Sequence, residues 1–464
     1  DQFRCDTRFD VITLIGVLEY APLFTDGEDP VVSMLSRVRE MLKPDGQLIL
    51  AIENQLGLKY FAGFSEDHKG EPMFGIENRY ERNGPQTFGR KVLIQKLKLA
   101  GFTNQQFMVP FPDYKLPISI VTEQGLNCDT FDSVAFAWQT ARRDPQLPQH
   151  LVFAPELAWP VVAANGLTLD LANSFLVVAH ASNEVASPPP ILAYHYSTNG
   201  RHAAFCKETL FVQCPDKSII LKYSSLSTNL THNTESKLVQ FNFPQEGKYI
   251  QGETLSLQLL RIVSRDNWHI EEIGRILQQY VNIIQSFTIE MGLILTFDSI
   301  FTTLPGACFD IIPQNIICLD NGTYHIIDKE WILKNEMPLG WLLFRALLQL
   351  IYSVTRFGHP STISIETWFD FSIAAIKSAG FTVTKEHLES FATMENQIQS
   401  YISGIKVVTG DNVSINLQHF LSCYSIHQAL QHREHQFLTT QSHLVTKEAE
   451  LTKIQSLLEH KKSE

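Results

Sequence analysis

The segment Asp310-Ile-Ile-Pro-Gln-Asn315, followed closely by Ile326-Ile-Asp328, decides how the second half of the chain is interpreted. Pro313 keeps this loop out of a helix, so the loop can aim a carboxylate at an acceptor hydroxyl while the amide oxygen reaches a cation. The chain then doubles back through a hairpin at Asp320-Asn-Gly322, which brings Asp328 beside the loop. Two carboxylates and one amide suit a hard cation such as Mg²⁺, and phosphoryl transfer uses these groups together.

This stretch resembles the catalytic core of the protein-kinase-like superfamily, in its aminoglycoside-phosphotransferase-like branch. The resemblance implies that Asp310 is the catalytic residue and that Asn315 and Asp328 are Mg²⁺ ligands. Two motifs differ from those of protein kinases. Cys308-Phe309 replaces the usual His-Arg before the catalytic aspartate, and Lys329-Glu330-Trp331 replaces the usual Phe-Gly after the metal aspartate. These departures argue against a protein substrate.

The segment upstream of the motif predicts the smaller lobe of such a fold. Three short strands separated by turns form an antiparallel meander, and they span 191–197, 205–213 and 218–223. By the resemblance, Lys222 is the lysine that binds the nucleotide phosphates, with Lys207 as the alternative. Glu235 is the candidate for its partner on a helix. The segment 246–252 resembles the hinge that holds the adenine, which assigns Tyr249 and Ile250 to the nucleotide site.

Two alternatives remain open for this half. Asp310 and Asn315 can simply cap a turn, with Lys222 solvated on a strand edge. The fold can also be kept without catalysis, as a pseudokinase that regulates its neighbour or as a scaffold that joins biosynthetic enzymes.

The first 110 residues alternate strand and helix patterns, which predicts an α/β fold with a parallel sheet. Phe9–Ile15 and 47–52 read as buried strands, while 31–42 and 87–100 read as helices. The segment 9–20, the Lys-Pro-Asp-Gly turn at 43–46 and the Ala-Gly-Phe at 100–102 resemble a class I methyltransferase that uses S-adenosylmethionine. The resemblance covers the fourth strand onward, and it implies a partial Rossmann-like sheet with Gly16 and Glu19 beside the cofactor. Any α/β domain with such a turn is the alternative.

The glycine-rich loop and the acidic strand end that hold S-adenosylmethionine precede the fourth strand, so the match does not include them. The chain also opens on Asp1 rather than Met and is almost at once inside an apolar strand. We therefore expect a fragment of a longer protein, with an incomplete methyl-transfer site and an exposed sheet edge.

Composition narrows the class of protein. The 464 residues are 44% hydrophobic and 19% charged, which is typical of packed globular domains. A formal net charge of −12 argues against a nucleic-acid partner. The seven cysteines form no C-x-x-C pair, and we find no run long and apolar enough for a membrane span. We expect a cytoplasmic protein with reduced cysteines.

Near the C-terminus, an apolar residue recurs every seventh position at Leu430, Phe437, Leu444, Leu451 and Leu458. This pattern favours either a coiled coil, which would allow a homo-oligomer, or a single amphipathic helix. We predict three regions: methyltransferase-like 1–165, kinase-like α+β 166–415 with lobes at about 170–250 and 251–415, and a C-terminal helix at 416–464.

This order of regions resembles the bifunctional kinase–methyltransferases that end O-antigen chains in bacterial surface-polysaccharide (lipopolysaccharide) biosynthesis. The resemblance implies ATP, Mg²⁺ and S-adenosylmethionine as cofactors and a glycan or polysaccharide acceptor. It also implies a glycosyltransferase partner bound through the C-terminal helix, which would bring the protein to the periphery of the inner membrane.

Overall fold

A computed structural model describes residues 7–148, 150–182, 189–227, 238–361 and 365–404, together with positions 434, 437–441, 444 and 447. The fold is mixed α/β. Its strands are β1 Phe9–Ile15, β2 Leu42–Glu53, β3 Asn104–Phe111, β4 Ser119–Thr122, β5 Ser174–His180, β6 Ile191–Ser197, β7 Lys207–Gln213, β8 Ile219–Ser225, β9 Val239–Phe241, β10 Gly247–Lys248, β11 Glu253–Thr254, β12 Thr303–Leu304, β13 Ile316–Cys318, β14 Tyr324–Ile326, β15 Trp331–Leu333 and β16 Met337–Pro338.

The α-helices lie between and after these strands. They are α1 Ala21–Phe24, α2 Pro30–Met41, α3 Leu58–Phe61, α4 Arg90–Leu99, α5 Glu123–Leu126, α6 Val134–Thr140, α7 Pro155–Ala164, α8 Leu255–Val263, α9 Ile270–Glu290, α10 Leu339–Ser353, α11 Trp368–Ser378 and α12 Lys385–Ser403. In the portion of the chain that the structure describes, no helix has the length and apolar character needed to cross a bilayer. Most of the predicted C-terminal helix, 416–464, lies outside the described residues.

One large sheet runs through the described chain, with its strands in the order β1-β2-β5-β3-β4-β6-β7-β8-β10. The first two strands are parallel, as the alternating strand and helix patterns predict. Asp29 caps α2 by accepting a hydrogen bond from the backbone N–H of Val32, and Pro30 occupies the first helical turn. These local signals explain why the predicted helices and strands of this half lie close to the observed ones. The predicted turn at 43–46 is an exception, because these residues lie within β2, where the pairing with β1 shifts its register.

Strand β1 departs from its prediction. It was expected to be buried, but it is the edge of the sheet, and Phe9, Val11 and Ile15 are exposed. A run of apolar residues cannot reveal which neighbours will cover it, because burial depends on the elements on either side. The exposed edge itself was expected for a sheet that begins at this strand.

Strand β5 changes the predicted division of the chain. It lies antiparallel between β2 and β3, with Ile49 opposite Val178 and Phe107 opposite Val177. The first half of the sheet therefore continues well past residue 165 and includes residues that were assigned to the second region. The sequence between 103 and 170 gives a mixed signal, so this return strand was not recognised as part of the first half.

The predicted meander forms, and it joins the first half directly. Strand β4 pairs with β6, Ser119 lying opposite His195, and β6, β7 and β8 follow in antiparallel order. A second link lies on the helical side. There the buried carboxylate of Glu156 in α7 accepts hydrogen bonds from the backbone N–H and the hydroxyl of Thr355, at 2.6 and 2.5 Å. The two halves therefore share one sheet, although each has an apolar core of its own.

The rest of the second half is a helical body with its own apolar core. Helices α9, α10 and α11 surround buried side chains such as Trp268, Tyr280 and Phe344. Among the described residues, three small antiparallel sheets pack against this core, with the strand orders β11-β13-β14, β12-β16 and β15-β9. The loop that carries Asp310 runs between this body and the meander.

Candidate functional site

The loop around Asp310 is held rigidly by groups from other parts of the chain. Asp310 is 6% exposed, and its Oδ2 accepts hydrogen bonds from the backbone N–H groups of Glu330 and Trp331, at 2.8 and 3.2 Å. The hydroxyl of Tyr280 donates to the carbonyl of Ile311 at 2.5 Å. The backbone and one carboxylate oxygen of this loop are thus fixed from outside it.

The free oxygen of Asp310 lies in an unusual electrostatic environment. None of the residues that the structure describes donates a hydrogen bond to its Oδ1. Burial, followed by the charge of Asp328, raises the pKa of Asp310 to about 7, while Arg345 opposes the shift. A carboxylate with a pKa near neutrality can accept a proton from an acceptor hydroxyl more readily than an ordinary aspartate.

Asn315 connects the loop to the hairpin that follows it. Its Nδ2 donates to the carbonyl of Asp310 at 2.9 Å and lies 3.5 Å from the carbonyl of Asp328. The amide oxygen, turned away from these carbonyls, is then available as a cation ligand.

The predicted hairpin is present and delivers Asp328 to the loop. Ile316 pairs with Ile326, and the backbone N–H of Ile327 donates to the carbonyl of Asn315. Asp328 has a φ of +51°, a left-handed conformation that is uncommon outside glycine. Such strain is tolerated where the surroundings hold the residue in place, as is frequent at functional sites. The structure therefore brings together the three residues that the motif singled out.

The lysine at this cluster is Lys207, whereas Lys222 lies elsewhere. Lys207 is 2% exposed, and its ammonium lies 2.8 Å from Asp328 Oδ1 and also contacts Glu330. Lys222 is exposed on β8. It pairs with Leu210, so both side chains share one face of the sheet, and Lys207, three residues before Leu210, points to the opposite face. The strand register therefore directs Lys207, and not Lys222, toward the loop that carries Asp310.

Two further charged residues belong to this cluster and were not predicted. Glu330 is buried, and its carboxylate contacts Lys207 and lies 2.6 Å from Arg201 Nη1. The guanidinium of Arg201 also lies over the ring of Trp331, 5.8 Å from its centroid. The only sequence signal was an acidic residue two positions after Asp328, which had been interpreted only as a departure from the Phe-Gly motif.

The predicted hinge residues, Tyr249 and Ile250, contact other parts of the protein. Tyr249 donates its backbone N–H to the carbonyl of Ile219, and its hydroxyl accepts a hydrogen bond from the backbone N–H of Asp132. Its ring packs against Phe131 and Phe211. Ile250 is partly buried. The Tyr249 side chain thus connects the two halves, and most of its surface is covered by these contacts and cannot contact a nucleotide. Glu235 lies outside the described residues.

The predicted residues of the methyl-transfer site, Gly16 and Glu19, follow the carboxyl end of β1. Gly16 has a φ of +63°, and an added Cβ there would lie 2.8 Å from the Tyr114 hydroxyl, so the turn requires glycine. Glu19 is buried in the turn that follows. Burial, and secondarily the charge of Glu53, raises the pKa of Glu19 to about 7.

Two other titratable side chains lie close to Glu19. Glu53 at the end of β2 and His68 in the loop after α3 lie within 4.8 Å of it, measured between possible ligand atoms. Nothing in the sequence connects these three residues, because they come from segments that only the fold brings together.

Comparisons with known proteins identify no family for the chain. No model of a protein family matches the chain, and a search of curated proteins finds no match either.

Proposed function

We propose that the chain is an ATP- and Mg²⁺-dependent phosphotransferase that acts on a hydroxyl of a glycan or a small molecule. The observation that carries the proposal is the convergence of Asp310, Asn315 and Asp328 beside a buried lysine. Phosphoryl transfer needs little else from a protein than the positioning of reactants and the neutralisation of charge.

Each group has a definite task in this proposal. Asp310 uses Oδ1 to orient the acceptor hydroxyl and to accept its proton, while its other oxygen stays bound to two backbone N–H groups. Asn315 Oδ1 and the Asp328 carboxylate would hold Mg²⁺, which neutralises charge on the phosphate oxygens when it is bound. Lys207 would exchange its contact with Asp328 for a nucleotide phosphate.

The first half supports a second activity, methyl transfer from S-adenosylmethionine. Ligands of open α/β sheets bind at the carboxyl ends of the parallel strands, which is where Gly16 and Glu19 lie. Because β4 pairs with β6, the two proposed activities would share one sheet.

The biological setting is part of the same proposal. A surface-polysaccharide acceptor, a glycosyltransferase partner at the C-terminal segment, self-association through that segment, and a cytoplasmic location near the inner membrane all follow from the resemblance.

The decisive test is turnover of ATP by the purified chain with candidate glycans. Asp310→Asn should lower the rate of ADP and phosphoglycan formation by at least about 100-fold, since a positioned general base contributes about 10²–10⁴ in rate. Asp320→Asn is the matched control, because this aspartate lies exposed on the hairpin turn only ten residues away. Equal activity of the two variants would show that Asp310 is not the general base. A wild-type chain that binds no MgATP would refute the proposed phosphotransferase activity.

One observation favours a non-catalytic alternative. The carboxylate of Asp310 is nearly buried and Lys207 is engaged by two acidic groups, an arrangement that could serve structure alone. A scaffold or pseudokinase would bind nucleotide without turnover of any acceptor. It would also bind nucleotide equally well after the Asp310→Asn substitution.

A further inference from the structure

Two buried side chains and one partly buried one converge on the carboxyl edge of the parallel strands. Glu19 follows β1, Glu53 ends β2, and His68 lies in the loop after α3. Their possible ligand atoms all lie within 4.8 Å of one another, and His68 Nε2 is 3.9 Å from Glu53 Oε2. Ligands of one cation lie about 3–4 Å apart because each bond is about 2.0–2.2 Å long. Small rotations of these side chains would therefore bring all three onto one ion.

The ligand atoms that face one another form no hydrogen bonds with the described residues. Within the described residues, Glu19 Oε2, Glu53 Oε2 and His68 Nε2 are buried and form no hydrogen bond. Glu19 and Glu53 are 1% and 0% exposed, and the His68 side chain is 8% exposed. Buried polar atoms are almost always satisfied, and leaving one without a partner costs about 1–3 kcal/mol. Three in one place indicate a group that would satisfy them together.

The orientation of His68 supports a ligand at Nε2. The Tyr20 hydroxyl lies 3.2 Å from Nδ1, and its ring packs edge-on against the imidazole, 5.2 Å between centroids. The backbone N–H of His68 donates to Glu66 Oε2 at 2.8 Å. Metal-binding histidines are typically oriented in this way, by a hydrogen bond at the second ring nitrogen.

The carboxylates around this cluster carry more negative charge than the neighbouring lysines neutralise. Lys115 contacts Glu53 Oε1 at 2.5 Å and also pairs with Asp67. Lys59 pairs with Asp113 at 2.9 Å and lies 3.4 Å from Asp67. With Glu19 included, the carboxylates in this network outnumber the lysines by two. The lysine on Glu53 occupies only Oε1, so Oε2 still points toward the other two ligand atoms.

We propose that Glu19, Glu53 and His68 bind a divalent transition-metal ion, of the class of Zn²⁺ or Mn²⁺. An imidazole with two carboxylates suits such ions, whereas Mg²⁺ and Ca²⁺ prefer oxygen ligands alone. Three protein ligands leave a coordination position for water or a substrate oxygen. The site lies beside Gly16 and is separate from the proposed Mg²⁺ site at Asn315 and Asp328, so the inference does not depend on the phosphotransferase.

The experiment uses the full chain without a histidine tag, cleared of metal by a chelator. Co²⁺ serves as the spectroscopic probe and Zn²⁺ as the competitor, with calorimetry for stoichiometry. We expect one tightly bound Co²⁺ whose absorption spectrum shows a low-symmetry nitrogen and oxygen ligand set, displaced by Zn²⁺. His68→Gln and Glu53→Gln should each weaken binding by at least about 100-fold, since even outer-shell partners contribute 10–100-fold.

Two matched variants separate this site from its alternatives. His325→Ala removes an exposed histidine from β14, and Asp328→Asn removes a carboxylate of the other proposed cation site. Both should bind Co²⁺ like the wild type, although Asp328→Asn should abolish Mg²⁺-dependent ADP formation. Circular dichroism identifies any variant that fails to fold, and His68→Gln, at a partly exposed position, is the milder change. A folded wild type that binds no Co²⁺, or binding that is unchanged in both ligand variants, would overturn the proposal.

Discussion

Removal of the buried lysine is the perturbation whose outcome depends most directly on the fold. In Lys207→Met, the ammonium that lies 2.8 Å from Asp328 and contacts Glu330 disappears. Two unit charges at 2.8 Å attract by about 6 kcal/mol at an effective dielectric constant of 20, from which desolvation subtracts. Loss of one partner of a buried pair costs about 3–5 kcal/mol. We expect about 3 kcal/mol, because Arg201 still pairs with Glu330.

Lys222→Met is the matched control, since the same substitution removes an exposed lysine from the next strand. Surface changes of this kind usually alter stability by less than about 0.5 kcal/mol. Denaturant unfolding followed by fluorescence measures both variants. Titration with MgATP then tests the nucleotide role, and Lys207→Met should weaken binding by at least about tenfold, the equivalent of one charge-assisted hydrogen bond. A larger effect of Lys222→Met in either measurement would refute the reasoning from strand register.

Two further predictions concern groups packed around the site. Burial lowers the pKa of His195 from 6.5 to about 4, so the unfolded chain binds more protons between these values and stability falls on acidification. Relative to His195→Gln, the wild type should lose up to about 2 kcal/mol of stability from pH 7 to pH 5, as measured by denaturant unfolding of both proteins at each pH. The buried carboxyls of Asp310 and Glu19, whose pKa values are raised, act with the opposite sign in both proteins and cancel in this comparison. An equal loss in the variant would contradict this. The charged groups that also act on this imidazole are Asp328, which raises its pKa, and Lys207, Arg143 and Arg201, which lower it. Arg345→Met should destabilise the chain by about 3–5 kcal/mol in the same assay, because it leaves Glu395 buried without its partner at 2.7 Å. Adding Glu395→Gln should recover part of the loss, and a purely additive double variant would argue against a coupled pair.

Much of the local architecture could be predicted because its signals are local. The turn at Asp320-Asn-Gly322 is written in neighbouring residues, and it predicts the hairpin that brings Asp328 back to Asp310. The same holds for α2, whose cap and apolar spacing lie within one segment. Patterns of this kind need no knowledge of the rest of the chain. Pro313 was expected to keep the loop out of a helix, but it begins one short 3-10 turn, Pro313–Asn315, because proline is tolerated at the first helical position.

Other features depend on which elements become neighbours. Alternation along a strand shows that successive side chains point to opposite faces, but it does not say which face meets Asp310, and the choice between Lys207 and Lys222 was therefore open. The return strand β5 and the pairing of β4 with β6 join segments far apart in the chain. Strand order is decided by the packing of whole elements, so the place of β5 between β2 and β3 could not be read from the sequence.

The sequence by itself determined the residues that can do chemistry at the loop: Asp310, Asn315 and Asp328, together with the turn that folds them onto one another. Only the tertiary structure decided their environment, in which Lys207 from β7 meets Asp328 and Glu330. The cluster at Glu19 is the extreme case, because its three residues share no motif. Local backbone preferences act over a few residues, whereas burial and charge act between surfaces that exist only after the chain has folded.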